Sequence, residues 1–300
     1  PINVVVYNDP EKSNLAYAVD VPVMLAPMAG MSDLPYREIC RAHGAGYAVG
    51  EMTTCQPQFR TSRKSATRWA CDAELGLRVV QLLGADPAMM ADAARYAEDS
   101  GAQVVDINMG CPAKKVLQTA CGSALMKDEA LVARILEAVC AAVSVPVTLK
   151  IRTGWDREHR NALAIAGIAE QTGVAMLTIH GRTREDGFRG EAEYETIRTV
   201  KAAVSIPVIA NGDIWKPEDA VRILQHTKAD MAMIGRGCFG NPWLFQQAKA
   251  ALEGKPIPPL PPLAERCDTA VRQFELAAAH KEAEERKLEI SLLEEELEEE

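Results

Sequence analysis

The sequence repeats one unit eight times: a short apolar or β-branched run, a polar or glycine end, and then a stretch with helical character. The apolar runs lie at residues 23–30, 47–52, 77–84, 104–110, 147–154, 176–183, 208–214 and 231–237. Strands that alternate with helices form right-handed crossovers and therefore a parallel sheet. Eight such units predict an α/β fold, a closed (β/α)8 TIM barrel. A doubly wound open sheet is the alternative, but it usually has fewer strands and a glycine-rich first turn.

The composition changes after the eighth unit. Five prolines within residues 256–262 predict an extended spacer. We therefore expect a catalytic barrel over residues 1–254, a linker over 255–262, and a short, incomplete helical region with an acidic tail over 263–300. Residues 263–280 have the pattern of one amphipathic helix, and the glutamates near the C-terminus favour fraying.

The net charge of −9 is concentrated in that tail. Residues 281–300 hold ten glutamates against three bases, whereas residues 1–280 hold 32 acids and 30 bases. An anionic partner would therefore meet a local patch rather than a global field. No apolar run approaches the roughly 18 residues that span a bilayer, and no signal peptide is visible, so no membrane association is expected. Eight cysteines without a C-x-x-C pair predict no metal site and suit a reducing cytoplasm.

Polar residues near the strand ends are the candidate site residues. Parallel barrel strands are buried on both faces, and barrel active sites lie at the C-terminal ends of the strands. Lys150 could hold an electron-rich ligand, His180 follows the same logic, and the Gln81 amide could bond the edge of a planar heterocycle. Each residue has a structural alternative: a lysine paired with a carboxylate such as Asp106, a hydrogen-bonded core histidine, and a barrel-filling amide.

Two glycine-bearing stretches, ANGDI and IGRGCFGN, end the seventh and eighth strands, where barrels commonly bind phosphate. Glycine lets backbone N–H groups approach a ligand, and Arg236 adds a fixed charge. The spacing of Gly235, Gly237 and Gly240 matches G-x-G-x-x-G only formally, since no βαβ unit follows. With Met28 as an apolar surface for a ring, these residues suit flavin mononucleotide (FMN).

Cys111 lies just past the fourth apolar run, in DINMGCPAKKV, close to Lys114 and Lys115. A buried structural cysteine would lie inside the run, so a thiol at this place suggests chemistry at the barrel mouth. The alternative is a spectator in a helix-capping loop.

Seven segments resemble those of the bacterial tRNA-dihydrouridine synthase family, closest to its B-type. They are APMAGMSDLPYR, VVQLLG, VVDINMGCPAKKV, VTLKIRTGWD, LTIHGRTR, PVIANGDI and MIGRGCFGNPW. The resemblance runs from about residue 15 to residue 280. It implies an FMN-containing barrel, a small helical domain, and NADPH-dependent reduction of a uridine in the D-loop of tRNA to 5,6-dihydrouridine.

The resemblance also implies residue roles. The residues expected to contact the flavin ring are Pro27, Met28, Ala29, Gln81 and Lys150, with Lys150 facing N1 and O2, and His180 would support the ring or its chain. Those expected to hold the ribityl phosphate are Asn211, Gly212, Asp213, Gly235 and Arg236. Asn108 and Cys111 would contact the uracil, and Lys114 and Lys115 would contact RNA phosphate. After hydride passes from flavin N5 to uracil C6, Cys111 would protonate C5, since a thiol with a pKa of about 8.5 is mostly protonated near neutrality.

A basic segment, FRTSRKSATRWA at residues 59–70, carries Arg60, Arg63, Lys64 and Arg68 without an acid. It predicts phosphate contacts, with a solvated helix face as the alternative.

Two other functions remain open. One is an FMN barrel oxidoreductase that acts on a free pyrimidine, like dihydroorotate dehydrogenase, and the other is a non-catalytic RNA-binding protein that keeps the fold. The basic segment and the helix after the barrel favour tRNA as the substrate, and Lys150, Cys111 and the phosphate loops argue against loss of catalysis. No obligate protein partner is expected.

Overall fold

The computed structural model of the protein describes residues 4–7, 16–19, 22–60, 62, 65, 67–69 and 74–299. The strands are β1 Val4–Tyr7, β2 Ala16–Val19, β3 Val23–Leu25, β4 Tyr47–Ala48, β5 Thr53–Thr54, β6 Val79–Leu83, β7 Val104–Met109, β8 Val147–Arg152, β9 Met176–His180, β10 Val208–Asn211 and β11 Met231–Ile234. The α-helices are α1 Leu34–Ala42, α2 Pro87–Asp99, α3 Lys114–Gln118, α4 Glu129–Ala142, α5 Ala162–Thr172, α6 Glu195–Ala203, α7 Pro217–Thr227, α8 Leu244–Leu252 and α9 Leu263–Glu299. Short 3-10 helices span Pro57–Phe59, Gly122–Lys127 and Arg236–Cys238.

Strands β3 to β11 form one parallel sheet in the order β4-β3-β11-β10-β9-β8-β7-β6-β5. The two ends of this order, β4 and β5, follow one another in the chain, and between them the Gly50 N–H donates to the Val79 carbonyl at 3.2 Å. They are therefore one interrupted strand, and the sheet closes into an eight-stranded barrel. This confirms the predicted fold, with one strand in each predicted run. The antiparallel pair β1–β2 was not predicted from the sequence.

The helices begin where the sequence supplies an acceptor. Asp86 precedes α2 and its carboxylate accepts the Met89 N–H at 2.8 Å, which satisfies one of the free donors of the first turn. Asp128 does the same before α4, where it accepts the Leu131 N–H at 2.9 Å. Pro87 and Pro217 occupy the first turns of α2 and α7, where the missing N–H of proline costs no helical hydrogen bond.

The barrel interior changes from apolar to polar along its axis. Alternate residues of each strand point inward. At the N-terminal end of the barrel, the inward residues form one buried cluster that includes Met24, Tyr47, Val79, Val104, Met176, Ile209, Met231 and Met233. At the C-terminal end they are polar, namely Gln81, Asp106, Asn108, Thr148, Lys150, His180 and Asn211. The fold thus places polar side chains at one end only.

Residues 255–262 contain neither helix nor strand, as predicted for the proline-rich segment, and the Gln247 side chain donates to the Pro258 carbonyl at 2.9 Å. Helix α9 then runs for 37 residues and contacts α1. It is continuous and much longer than the predicted 263–280 helix, since glutamate, lysine and leucine are all good helix formers. The domain boundaries themselves stay predictions.

Within the described ranges, no helix combines the length and the apolar character needed to cross a membrane.

Candidate active site

A cavity of about 860 Å³ opens at the C-terminal ends of the barrel strands. Its lining includes most of the predicted site residues, which are Pro27, Met28, Ala29, Gln81, Asn108, Cys111, Lys114, Lys150, His180, Asn211, Gly212, Asp213, Gly235 and Arg236. The C-terminal ends of parallel barrel strands meet at one face, which is why residues far apart in sequence converge here. Lys115 and Arg60 do not line the cavity, and Arg63 lies outside the described residues.

Lys150 lies deep in this cavity, and its ammonium donates to the Asn211 side-chain oxygen at 3.0 Å. The Asn211 amide nitrogen donates in turn to the Met233 carbonyl at 2.9 Å, which fixes the direction of the amide. The predicted structural alternative, an ion pair with Asp106, is not formed. Strand register places Lys150 beside Asn108, whereas Asp106 lies one layer deeper beside Thr148. Burial, aided by the charge of Arg152, lowers the pKa of Lys150 to about 8.

The Gln81 amide is bound within the protein. Its nitrogen donates to an Asp106 oxygen at 2.7 Å, and its oxygen accepts from the Asn108 amide nitrogen at 2.9 Å. One N–H hydrogen remains available toward the cavity for the predicted bond to a heterocycle.

Asn108 lines the cavity and also shapes the loop of Cys111. Its oxygen accepts the backbone N–H groups of Gly110 at 3.2 Å and Cys111 at 3.0 Å, and its nitrogen donates to Gln81. An asparagine at a strand end readily bonds the backbone of the following turn. The predicted contact between Asn108 and uracil stays a prediction.

The backbone N–H and carbonyl groups of Gly110 and Cys111, in the loop that carries the thiol, all have partners. Asn108 accepts both N–H groups, Arg152 Nε donates to the Gly110 carbonyl at 2.7 Å, and Ser123 donates to the Cys111 carbonyl from its N–H at 3.1 Å and its hydroxyl at 2.9 Å. Burial raises the pKa of the Cys111 thiol, and the charges of Arg152 and Lys150 oppose that shift. The thiol is therefore mostly protonated at neutral pH, in a fixed position at the cavity wall.

Arg152 is a site residue that the sequence analysis missed. It is 1% exposed, and its guanidinium donates to the carbonyls of Gly110, Thr183 at 2.9 Å and Gly187 at 2.7 Å. It thus ties the Cys111 loop to the loop after β9. Arg152 follows Lys150 by two residues on the same face of the strand, so the criterion of a charge within a buried strand would have identified it.

Asp213 and His180 interact with Arg182. The Asp213 carboxylate accepts two bonds from Arg182 Nη2, at 2.8 and 2.9 Å, and the Ala192 N–H at 2.6 Å. The Asp213 carboxylate therefore positions an arginine, and the call that residue 213 helps to hold a phosphate stays a prediction. His180 Nε2 lies 3.3 Å from Arg182 Nη1, and burial together with the surrounding cations lowers the pKa of His180 well below its usual value. It is a neutral imidazole at the cavity wall.

The loops after β10 and β11 leave room for an anion. A Cβ at Gly235 would meet no atom closer than 3.9 Å, and Gly212 has φ of +130°, which only glycine adopts without strain. The exposed Arg236 guanidinium lies 5.2 Å from the Phe188 ring and 5.6 Å from the Trp215 ring, with no acidic partner within the described part of the chain. This end of the cavity therefore keeps an uncompensated positive charge.

The charges of the whole lining have one dominant sign. The basic residues are Lys114, Lys150, Arg152, Arg182, Arg184, Arg189 and Arg236, and the acidic ones are Glu185 and Asp213. A positive cavity in a chain with a net charge of −9 suits an anionic ligand.

Two arginines of the basic segment near residue 60 have acidic partners within the chain. Arg60 is 15% exposed on its side chain, pairs with Asp92 of α2 at 2.5 Å and lies 4.9 Å from the Tyr96 ring. Arg68 pairs with Glu51 at 3.0 Å. The acids come from elsewhere in the chain, so local composition could not show them. The phosphate contacts predicted for this segment stay predictions, and Lys64, like Arg63, lies outside the described residues.

Comparisons with known proteins identify the family of the chain. The family model described as dihydrouridine synthase matches residues 24–292. The tRNA-dihydrouridine synthase B of Pseudomonas aeruginosa is 54% identical over 248 residues, which cover 82% of this chain and 75% of that protein. The protein of the same name from Xanthomonas axonopodis is 52% identical over 259 residues, 86% of this chain and 78% of that one.

Solved structures share the fold at low identity. Histamine dehydrogenase from Rhizobium gives a TM-score of 0.56 at 13% identity, covering 84% of this chain and 48% of that one. A 2-naphthoyl-CoA reductase gives 0.59 at 13% identity, covering 80% and 51%. At this identity the likeness concerns the barrel alone.

Proposed function

This chain belongs to the dihydrouridine synthase family, and we propose that it reduces uridine in the D-loop of tRNA to 5,6-dihydrouridine, with bound FMN as cofactor and NADPH as reductant. A cytoplasmic location is part of the proposal because tRNA is the substrate. The observation that carries it is the Cys111 loop, in which the N–H and carbonyl groups of Gly110 and Cys111 are all bonded, at the wall of a positively charged cavity that also contains Lys150.

The residues of the cavity fit this cofactor. The Lys150 ammonium has one internal acceptor, Asn211, so its other N–H groups can bond the electron-rich edge of a ring. The open Cβ position of Gly235 and the unpaired charge of Arg236 suit a phosphate. The bound flavin would supply the hydride that reaches C6 of the uracil.

Cys111 would hold the proton for C5 of the uracil. Because burial raises the pKa of its thiol, the proton is present at neutral pH, while the Ala113 backbone N–H and the charges of Arg152 and Lys150 act against that shift. General acids of this kind contribute about 10²–10⁴ in rate. Arg152, Asn108 and Ser123 would keep the proton donor in place, and a fixed donor lowers the entropic cost of reaching the reactive geometry.

Lys114 and Lys115 would contact the RNA backbone. Both are exposed on α3, directly after the Cys111 loop, and residues 107–127 contain three lysines and no acid. Backbone phosphates next to the target base would pass this surface when the uridine leaves its stack to enter the cavity.

The test is complementation of a bacterial strain that lacks its own B-type synthase. We expect expression of the full chain to restore dihydrouridine in D-loop positions, measured by mass spectrometry of purified tRNA, and we expect the purified protein to show the visible absorption of a flavin. Turnover of free uridine or orotate without any restored tRNA modification would instead favour the small-molecule oxidoreductase. A protein that cannot take up FMN would contradict both.

A further inference from the structure

A fully buried carboxylate lies beneath the cavity floor and is connected to the Cys111 loop by two amide side chains. Asp106 is 3% exposed and is not among the residues that line the cavity. It accepts from Gln81, Gln81 accepts from Asn108, and Asn108 accepts from the N–H groups of Gly110 and Cys111. We propose that Asp106 is a positioning residue for Cys111 and acts through this chain, called here the amide relay. The inference rests on the proposed role of Cys111 as proton donor.

The backbone N–H groups of the Cys111 loop fix the orientation of both amides in the relay. The backbone N–H groups of Gly110 and Cys111 can only donate, so Asn108 must turn its oxygen toward them. Its nitrogen then faces Gln81 and requires the Gln81 oxygen, which leaves the Gln81 nitrogen pointing away from the loop. That nitrogen needs an acceptor in a place without water, and Asp106 provides it at 2.7 Å.

Strand register makes this arrangement rigid. Gln81 on β6 lies directly beside Asp106 on β7, and Asp106 lies beside Thr148 on β8, whose hydroxyl donates to the second carboxylate oxygen at 2.5 Å. Both oxygens of Asp106 are therefore engaged, and neither can rotate away from Gln81 without breaking a bond to Thr148. Asp106 thus fixes the end of the relay that is farthest from the loop, while Arg152 and Ser123 bond the carbonyls of Gly110 and Cys111 directly.

The side chain at 106 must accept a hydrogen bond but need not be charged. An asparagine can turn its oxygen toward Gln81 and its nitrogen toward Thr148, whose hydroxyl can accept. A leucine cannot accept a hydrogen bond, so the Gln81 nitrogen would be buried without a partner. The cost of that unpaired group would favour conformations in which Gln81 has turned away from Asn108, by about tenfold or more. The relay thus predicts that Asp106→Asn is tolerated and Asp106→Leu is not, although both substitutions remove the charge.

The experiment compares Asp106→Leu, Asp106→Asn and Thr148→Val in the full chain. Two readouts are measured: the rate at which iodoacetamide alkylates Cys111, followed by peptide mass spectrometry on the cofactor-free protein, and the single-turnover rate of dihydrouridine formation on tRNA after the flavin has been reduced. Asp106→Leu should raise the alkylation rate about threefold or more, because a loosened loop exposes a thiol that burial now protects. It should also slow dihydrouridine formation about tenfold or more.

The two matched variants separate positioning from general damage to the barrel. Asp106→Asn should keep the alkylation rate within about twofold of wild type, since it preserves the acceptor. Thr148→Val removes the bond that keeps Asp106 from rotating but leaves the acceptor in place, so it should raise the alkylation rate by less than Asp106→Leu does. Should Asp106→Leu fail to fold, Gln81→Met interrupts the relay one step later and should reproduce the faster alkylation.

Unchanged alkylation of Cys111 in both Asp106→Leu and Gln81→Met would overturn the inference, as would an equal response to Thr148→Val. These outcomes are independent of the proposed activity. If alkylation responds as expected but the wild-type protein makes no dihydrouridine, the amide relay stands and the proposed function fails. If dihydrouridine forms and alkylation does not respond, the reverse holds.

Discussion

The floor and the rim of the cavity are built differently. The floor is formed by Gln81, Asn108, Lys150 and Asn211, which lie on strands and bond one another or the backbone. The rim is formed by Lys114, Phe188, Trp215 and Arg236, which lie on loops and a short helix. Phe188 is 56% exposed and Trp215 53%. The floor is therefore organised before any ligand arrives, whereas the rim keeps charge and aromatic surface that only a ligand can cover.

Removal of the thiol above the floor should have the largest effect. We expect Cys111→Ala to keep bound flavin and reduction by NADPH while dihydrouridine formation falls by about 10²–10⁴, the usual contribution of a general acid. Single-turnover assays on tRNA measure this. Cys267→Ala, on the exposed surface of α9, is the control and should behave as wild type. Unimpaired turnover of Cys111→Ala would remove the acid role.

Loss of the floor cation should come next. We expect Lys150→Met to weaken flavin binding by roughly 10- to 100-fold, because a hydrogen bond to a charged group is lost at a buried position. Fluorescence titration of the flavin measures this, with Lys281→Met as an exposed control of the same charge change. A loss of flavin affinity no larger than that caused by Arg236→Met at the rim would contradict the distinction between floor and rim.

The same cation predicts a pH dependence. The pKa of Lys150 is about 8, below the ordinary value for lysine, so its ammonium is present below that pH and is lost above it. We expect flavin affinity to fall about tenfold between pH 7 and pH 9. Lys150→Arg, whose guanidinium stays protonated, should flatten the profile. An equally steep profile in that variant would assign the titration to another group.

Substitution at the rim should have a smaller effect. We expect Arg236→Met to weaken flavin binding about two- to fivefold, since exposed charges contribute up to about 1 kcal/mol and are screened by salt. Titrations at low and high salt should show the difference shrinking as salt rises, with Arg266→Met on α9 as control. A salt-independent loss would mean that Arg236 belongs with the floor.

The smallest effect on RNA binding is expected from Arg60. Because Arg60 pairs with Asp92 and packs on Tyr96, we expect Arg60→Met to cost about 1 kcal/mol in the free energy of unfolding and to leave tRNA affinity unchanged. Chemical denaturation and filter binding measure the two quantities. A marked loss of tRNA affinity with unchanged stability would instead support the predicted contact between Arg60 and an RNA phosphate.

The barrel and most of its lining could be predicted because both depend on local pattern. Alternating apolar runs predict strands, and closure of the barrel brings their polar ends together without knowledge of any single contact. Partners across the sequence could not be predicted. Asn108 bonds the backbone of the next turn, while Asp213 and Arg60 pair with opposite charges on other elements, and none of these contacts follows from local pattern. Helix α9 extends to Glu299, beyond the predicted 263–280 helix, because the helix propensity of glutamate outweighs the repulsion between neighbouring glutamates.

The methionine-lined lower half of the barrel has a consequence for evolution and for engineering. Methionine is unbranched and adapts its shape, so this plug can absorb small shifts of the strands around it. The residues that stabilise the barrel and the residues of the candidate active site therefore lie at opposite ends of its interior. New substrates could be accommodated by rebuilding the upper loops, while the plug beneath keeps the scaffold folded.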